Sequence, residues 1–307
     1  MTMASGKLEK CITPTPKTTS AADTMTAYSK AAELGKWITI FDPIDWTFAL
    51  SEKPATESRI YEAALWQTFL VKAHKLNLML QIDPYGVPRT GTIGSKLPAT
   101  SRDLTFAHPW LRNCYTCEVL RRVAWYRPVM LCLAMEANSF TVENPNDRNN
   151  FVSLLEETIK TVKAKFGSSA PIMFASIQWE QALETDTRYL NELVELSDVI
   201  GLSSYPHIRY ESPQAVPENY YRGMATTYKP LVFAELGWPS SQEVNGGSDS
   251  AQAAFIRRLP KLLSGINTGP INWITLHDGY YGVPFDSMGL CRKDGTAKPA
   301  LKAWRGL

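Results

Sequence analysis

Short apolar runs alternate with longer amphipathic stretches along almost the whole chain. Eight runs have the length of buried strands: Cys11-Ile12-Thr13, Trp37 to Phe41, Leu78 to Ile82, Val129 to Met135, Pro171 to Ile177, Val199 to Ser203, Pro230 to Ala234 and Ile271 to Leu276. Helix-like segments fall between them: Ala21 to Leu34 before Gly35, Arg59 to Lys75 after the cap residue Ser58, Pro109 to Tyr126, Asn149 to Phe166 before Gly167, Thr187 to Leu196, Pro217 to Tyr228, and Asp249 to Ser264 before Gly265. In the fourth of these, Phe151, Leu154, Leu155, Thr158, Ile159 and Val162 fall on one helical face. Alternating β and α units imply a parallel sheet covered by helices, and eight of them imply closure into a single (β/α)8 TIM barrel. An open doubly wound sheet is the competing arrangement. The division expected is a tail over residues 1–10 and one barrel domain over residues 11–307. The Pro-, Gly- and Thr-rich stretch from Asp83 to Thr105 is expected to overhang one barrel face.

Composition narrows the function classes. The chain has 307 residues, 44% of them apolar, and a formal net charge of +2. That length supports one large core. Near-neutral charge gives no support for nucleic-acid or membrane-surface binding, and no apolar run reaches the length of a membrane span. The first ten residues lack an apolar signal core, so a cytoplasmic protein and a trimmed secreted one both stay open. Five scattered cysteines form no disulfide framework. Cys114 and Cys117 make a C-x-x-C, but within a helical segment, where packing explains them. No Gly-x-Gly-x-x-Gly or Gly-Lys-Ser/Thr loop follows a strand, and no Gly-x-Ser-x-Gly elbow occurs. No cofactor and no metal is expected. The partner expected is a carbohydrate, with no nucleic acid, no membrane, and a monomeric chain.

In such a barrel the reactive groups lie at the C-terminal strand ends. Those ends are polar and aromatic here. They offer Asp42, Asp45 and Trp46 after the second run, Gln81, Asp83 and Tyr85 after the third, Glu136 and Asn138 after the fourth, and Gln178, Trp179 and Glu180 after the fifth. Ser204, Tyr205 and His207 follow the sixth, Glu235 and Trp238 the seventh, and His277 and Asp278 the eighth. Asp residues after strands also cap helices, and strand-end rings also pack at a barrel rim. Trp46, Tyr85, Trp179 and Trp238 are the candidate sugar-stacking rings, with Trp238 foremost. Gln178, Asp45, Asp83, His207 and His277 are candidates for sugar hydroxyls.

Glu136 and Glu235 stand out, because each directly follows a buried run. Ends four and seven of an eight-stranded barrel face one another across its mouth. Paired carboxylates flanking a glycosidic bond supply the acid and the nucleophile of hydrolysis, with the carboxyl groups about 5–5.5 Å apart for retention.

The motif Phe233-Ala234-Glu235-Leu236-Gly237-Trp238-Pro239-Ser240 resembles the nucleophile signature Glu-x-Gly-Trp-Pro-Ser of glycoside hydrolase family 17, the endo-β-1,3-glucanases. Ile200-Gly201-Leu202-Ser203-Ser204-Tyr205-Pro206 resembles the sixth strand of the family 53 endo-β-1,4-galactanases. Both families belong to clan A, the retaining (β/α)8 glycosidases, and strand order matches that clan along nearly the whole chain. The resemblance implies Glu235 as nucleophile, Glu136 as acid/base, and Tyr205 as a hydrogen-bond donor to the nucleophile. The clan places Asn directly before its acid/base; this chain has Met135 there, with Asn138 as the possible replacement. A transglycosidase using the same two acids and a catalytically silent carbohydrate-binding barrel are the alternatives.

Overall fold

The structure is a computed structural model that describes residues 8–51, 53–54, 56, 59–86, 91–184, 188–224 and 228–307. Eight parallel strands close into a barrel in chain order: β1 (Lys10–Ile12), β2 (Trp37–Phe41), β3 (Asn77–Gln81), β4 (Met130–Ala134), β5 (Ile172–Gln178), β6 (Ile200–Ser204), β7 (Leu231–Leu236) and β8 (Thr268–Trp273). The closing pair sets Ile12 opposite Trp273. The helices are α1 (Ala21–Leu34), α2 (Trp46–Ala49), α3 (Arg59–Ala73), α4 (Pro109–Tyr126), α5 (Ala137–Glu143), α6 (Arg148–Phe166), α7 (Trp179–Ala182), α8 (Arg188–Leu196), α9 (Asp249–Leu262) and α10 (Pro299–Arg305). By packing, the chain divides into two units. One joins the residues up to Thr39 with Ala73–Asn77 and Leu202–Leu307; the other joins Ile40–Lys72 with Leu78–Gly201.

In the first unit the core is aromatic. Trp238 packs on Phe255 of α9, with ring centres 5.1 Å apart, and Phe255 in turn meets Trp273 of β8. Trp273 meets Trp304 of α10 at 5.9 Å. Ser20 caps α1 by accepting from Asp23 N–H at 3.1 Å. Gly35 ends that helix for a steric reason: a Cβ there would sit 2.3 Å from the Lys10 carbonyl oxygen of β1. The β7–β8 pairing slips between Phe233 and Leu236, around Glu235. Asn272 fills the gap, donating from its side chain to Ala234 O at 2.7 Å.

In the second unit the loop after β3 brings Tyr85 against Phe140 of α5, stacked at 4.6 Å, with Phe106 and Phe151 closing the cluster. Each such ring pair is worth about 0.5–1.5 kcal/mol beyond its buried area. Asp42, at the end of β2, pairs with Arg122 of α4, which also holds Glu118. Arg122 is wholly buried, and removing one partner of such a group costs about 3–5 kcal/mol. The β4–β5 pairing also slips, between Cys132 and Ala134, just before Glu136. Register slips of this kind re-aim the side chains that follow.

Some elements depart from the sequence reading. Pro217 to Tyr228, expected as a helix, forms turns over its described part: Tyr220 N–H donates to Pro217 O and Arg222 N–H to Asn219 O. Tyr220 and Tyr221 are adjacent and both buried, Tyr221 against Phe233 at 5.0 Å. A helix would splay them apart. Strand β8 starts and stops three residues earlier than expected, although Ile274 and Leu276 continue bonding to Leu236 O and Thr13 O. Residues 93–96 and 99–101 in the long loop wind into single 3₁₀ turns. The short helices α2, α5, α7 and α10 were not expected. Ser58 and Thr187 lie outside the described residues, as do residues 1–7 of the expected tail. The five cysteines are all free, with Cys114 and Cys117 half-buried on α4. No helix among the described residues is long and apolar enough to cross a membrane.

Candidate active site

Glu136 sits two residues beyond β4, where the chain turns directly into α5. Its backbone is left-handed (φ 47°, ψ 48°), which costs a non-glycine residue roughly 1–2 kcal/mol. Its N–H is held by Ser176 Oγ of β5 at 2.8 Å. It occupies the N-cap position of α5, yet its side chain makes no capping bond. Met135, Ala137 and Asn138 around it are fully buried, while Glu136 itself is partly open. Helix capping therefore does not account for this acid.

Asn138 is committed elsewhere. Its Nδ2 donates to Gln178 O and to Gln181 Oε1, both at 3.1 Å, and its Oδ1 accepts from Gln178 N–H at 2.8 Å. It ties α5 to the end of β5. Met135 points its sulfur to within 3.6 Å of Cys132 Sγ and has no exposed surface. Gln178 caps α7 and donates to Glu180 Oε2 at 3.0 Å; it stays half-buried. Trp179 is buried beside it.

In the other unit, Glu235 is the partly open position in a strand whose other residues are buried. Tyr205, just past β6, donates from its hydroxyl to Glu235 Oε2 at 2.8 Å. A donor aimed at a carboxylate favours its ionised form and fixes its orientation. The Tyr205 ring packs edge-on against Phe285 at 5.1 Å, and Ile274 and Met288 complete that cluster. Gly237 makes room for it: a Cβ there would lie 2.7 Å from Met288 Sδ and 3.2 Å from the Tyr205 ring.

Trp238 is corrected from platform to anchor. It is fully buried, its Nε1 donates to Gly246 O at 2.9 Å, and its carbonyl accepts from Gln252. No ring face is open to a sugar. The same correction applies in the second unit. Tyr85 is buried in the phenylalanine cluster, and Trp46 is buried with its Nε1 on Pro84 O at 2.7 Å. Asp45 caps α2 through Phe48 N–H, and Asp83 holds the turn N–H groups of Tyr85 and Gly86.

Burial disfavours the charged form of both strand-end histidines. It pulls His207 down to about 4; the ring lies edge-on to both Tyr205 and Trp238, and its Nδ1 has no hydrogen-bond partner among the described residues. Burial also lowers His277, whose Nδ1 lies 2.7 Å from Thr15 O. That contact makes Nδ1 the protonated nitrogen. Among the described residues no three His, Cys, Asp or Glu side chains gather as metal ligands.

Tyr281 escaped the sequence reading. It lies in the loop after β8, 38% exposed, and edge-on to the more exposed Tyr280 at 5.0 Å. Its phenol is pushed well up, first by burial of the hydroxyl and then by the neighbouring charge of Glu235. An exposed tyrosine within electrostatic reach of a strand-end carboxylate is a candidate for the ring role expected of Trp238. The available signal was the pair Tyr280-Tyr281 between Gly279 and Gly282 in a loop that follows a barrel strand.

Solved structures share this fold. GH5_18 from Streptomyces cattleya in complex with GlcNAc superposes with a TM-score of 0.77 at 15% identity, over 98% of this chain and 80% of that one. GH5_18 from Bifidobacterium longum subsp. longum ATCC 55813 gives 0.73 at 14% identity, over 97% and 78%. The GH53 catalytic domain of Ignisphaera aggregans gives 0.64 at 17% identity, over 92% and 87%. At such identities the likeness establishes the barrel. No family model matches the sequence, and no curated protein does.

Proposed function

We propose that this protein is a retaining glycoside hydrolase that cleaves a β-linked glycan, with Glu235 as nucleophile and Glu136 as acid/base. The observation that carries the reading is the 2.8 Å hydrogen bond from Tyr205 to a partly open Glu235 at the end of β7. A carboxylate ionised, oriented and reachable at a barrel strand end suits attack on an anomeric carbon. The strained Glu136 after β4, which makes no capping bond, supports the second role. The named barrel neighbours, GH5_18 and GH53, agree with the reaction class.

In the first step the Glu136 carboxyl gives its proton to the glycosidic oxygen while a Glu235 oxygen bonds to C1. The C1–O bond breaks and the leaving sugar departs. In the second step Glu136, now a carboxylate, takes a proton from water. The water oxygen bonds to C1 and the ester to Glu235 opens. Tyr205 keeps Glu235 in line, and Tyr281 offers a ring to the sugar.

One observation favours a second reading, a barrel that binds glycans without cutting them. Met135 stands buried where the clan has its asparagine, and Asn138 is consumed by Gln178 and Gln181. Retention of the Tyr205–Glu235 pair argues against it, since a binder has no use for an oriented nucleophile. A transglycosidase would share every residue and differ only in the acceptor.

The test is a panel of β-glucans, galactans, mannans and aryl β-glycosides. Manβ1-4GlcNAc belongs in it, because GH5_18 neighbours have been solved with that disaccharide. Turnover of at least one member, lost in both Glu136→Gln and Glu235→Gln, is expected. Binding without turnover across the panel favours the silent barrel, and a sugar acceptor that outcompetes water favours transfer.

A further inference from the structure

We propose that Lys298 is a positioning residue of this site: its buried ammonium fastens the loops after β7 and β8 to one another and thereby fixes Phe285 and Tyr281 around the Tyr205–Glu235 pair. The inference rests on the glycosidase reading above for its catalytic consequence, though not for its structural part.

The Lys298 side chain has no exposed surface. An ammonium has three protons to place, and here each has an acceptor: Ser240 Oγ at 2.8 Å, Asp278 Oδ1 at 2.6 Å and Ser287 O at 2.9 Å. Ser240 lies five residues past Glu235, while Asp278 and Ser287 bracket the loop after β8. The two loops are zipped further by Ser240 N–H to Ser287 O at 3.1 Å and Ser241 N–H to Ser287 Oγ at 3.1 Å.

What this loop carries is the reason for the assignment. Phe285 supports the Tyr205 ring, Met288 fills the space opposite Gly237, and the Tyr281 phenol feels the charge of Glu235. A buried cation is costly unless paired and fully bonded. A lysine tucked under these loops is therefore hard to explain as plain packing. Burial lowers Lys298 and raises Asp278, each partly offset by the other, with Asp249 and Arg292 as the other charges felt there. Lys298 sits at the start of α10, with its own N–H on Leu290 O. The clamp is thus rooted in a helix, not in another loop.

The test uses Asp278→Asn/Lys298→Met, which removes both charges together and leaves no unpaired ion, with Ser240→Ala as a milder second variant. Amide hydrogen exchange in residues 278–289 is measured without substrate. Steady-state kinetics follow on whichever β-glycoside the wild type cleaves. The double variant is expected to exchange these amides at least tenfold faster, to lose about tenfold or more in kcat as Phe285 loosens behind Tyr205, and to raise KM severalfold as Tyr281 loosens. Ser240→Ala is expected to show the same pattern at about threefold, and it decides alone if the double variant does not fold. Unchanged exchange overturns the clamp. Faster exchange with unchanged kcat overturns the positioning role. A wild type inactive on every glycan sinks the glycosidase reading instead, and the exchange result still judges the clamp.

Discussion

The Tyr205 hydroxyl donates to Oε2 of Glu235 at 2.8 Å, and the side chains packed on the Tyr205 ring hold it there. Gly237 leaves room for the ring, Phe285 and Met288 hold it, and Trp238 anchors the turn that follows. Hydrogen bonds to charged groups are worth about 1.5–3 kcal/mol. Tyr205→Phe keeps the ring and removes the donor. It is expected to lower kcat by about ten- to a hundredfold with little change in melting temperature, measured on the best panel substrate. An unchanged kcat means that the bond does not serve catalysis.

Gly237→Ala tests the crowding argument. The added methyl meets Met288 Sδ at 2.7 Å and the Tyr205 ring at 3.2 Å. Overpacking of this kind costs about 1–3 kcal/mol. Met288 Sδ ends a flexible side chain and moves at small cost, but the Tyr205 ring must also shift slightly, so the effect should show in kcat more than in stability. Urea unfolding beside kinetics separates the two. A stable, fully active Ala variant contradicts the packing described.

Trp238 is buried, and in the proposed site the stacking role that the sequence suggests for it passes to Tyr281, for which the sequence suggested none. Trp238→Phe loses the Nε1 bond to Gly246 O and part of the contact with Phe255, so it should destabilise by about 1–3 kcal/mol and leave KM nearly alone. Tyr281→Ala should do the reverse, raising KM severalfold with stability within about 0.5 kcal/mol. The opposite pattern, a KM effect from Trp238 and none from Tyr281, would restore the sequence-based assignment.

His207 makes stability depend on pH. Its folded value, lowered by burial to about 4, lies below the ordinary 6.5. Above pH 6.5 the ring is neutral folded or unfolded and the stability is complete. Below that the unfolded chain takes up a proton that the folded ring refuses, so stability falls between about pH 6.5 and 4, by about 3 kcal/mol in all. His277, also lowered by burial, acts in the same direction. His207→Phe should flatten the slope of unfolding free energy between pH 7 and 4.5. Equal slopes in both proteins would place the ring in water.

The barrel was legible because each strand is a short apolar run between longer stretches, and among the described residues that alternation with helices survives in every unit but the one after β6. The helix expected over Pro217 to Tyr228 was not, because burying Tyr220 and Tyr221 side by side outweighs helical spacing. Helices α2, α5 and α7 were hidden for a related reason. Four to seven residues carry no period, and their caps, Asp45 and Gln178 among them, look like site residues in sequence. The strand-end placement of the two glutamates was legible, since an acid beside a buried run is costly there unless it is paired or used. Ring accessibility was not. A tryptophan or tyrosine at a strand end reads the same whether Phe255 or Phe140 covers its face or a sugar does.

The central claim is that Glu235 forms a bond to the sugar. A 2-deoxy-2-fluoro analogue of the cleaved β-glycoside, with a good leaving group, slows the second step and traps that bond. Mass spectrometry of the digested protein should find one sugar, carried by the peptide that holds Glu235, and none after Glu235→Gln. A label on Glu136 or any other residue, or no label from a sugar the protein demonstrably turns over, contradicts the account.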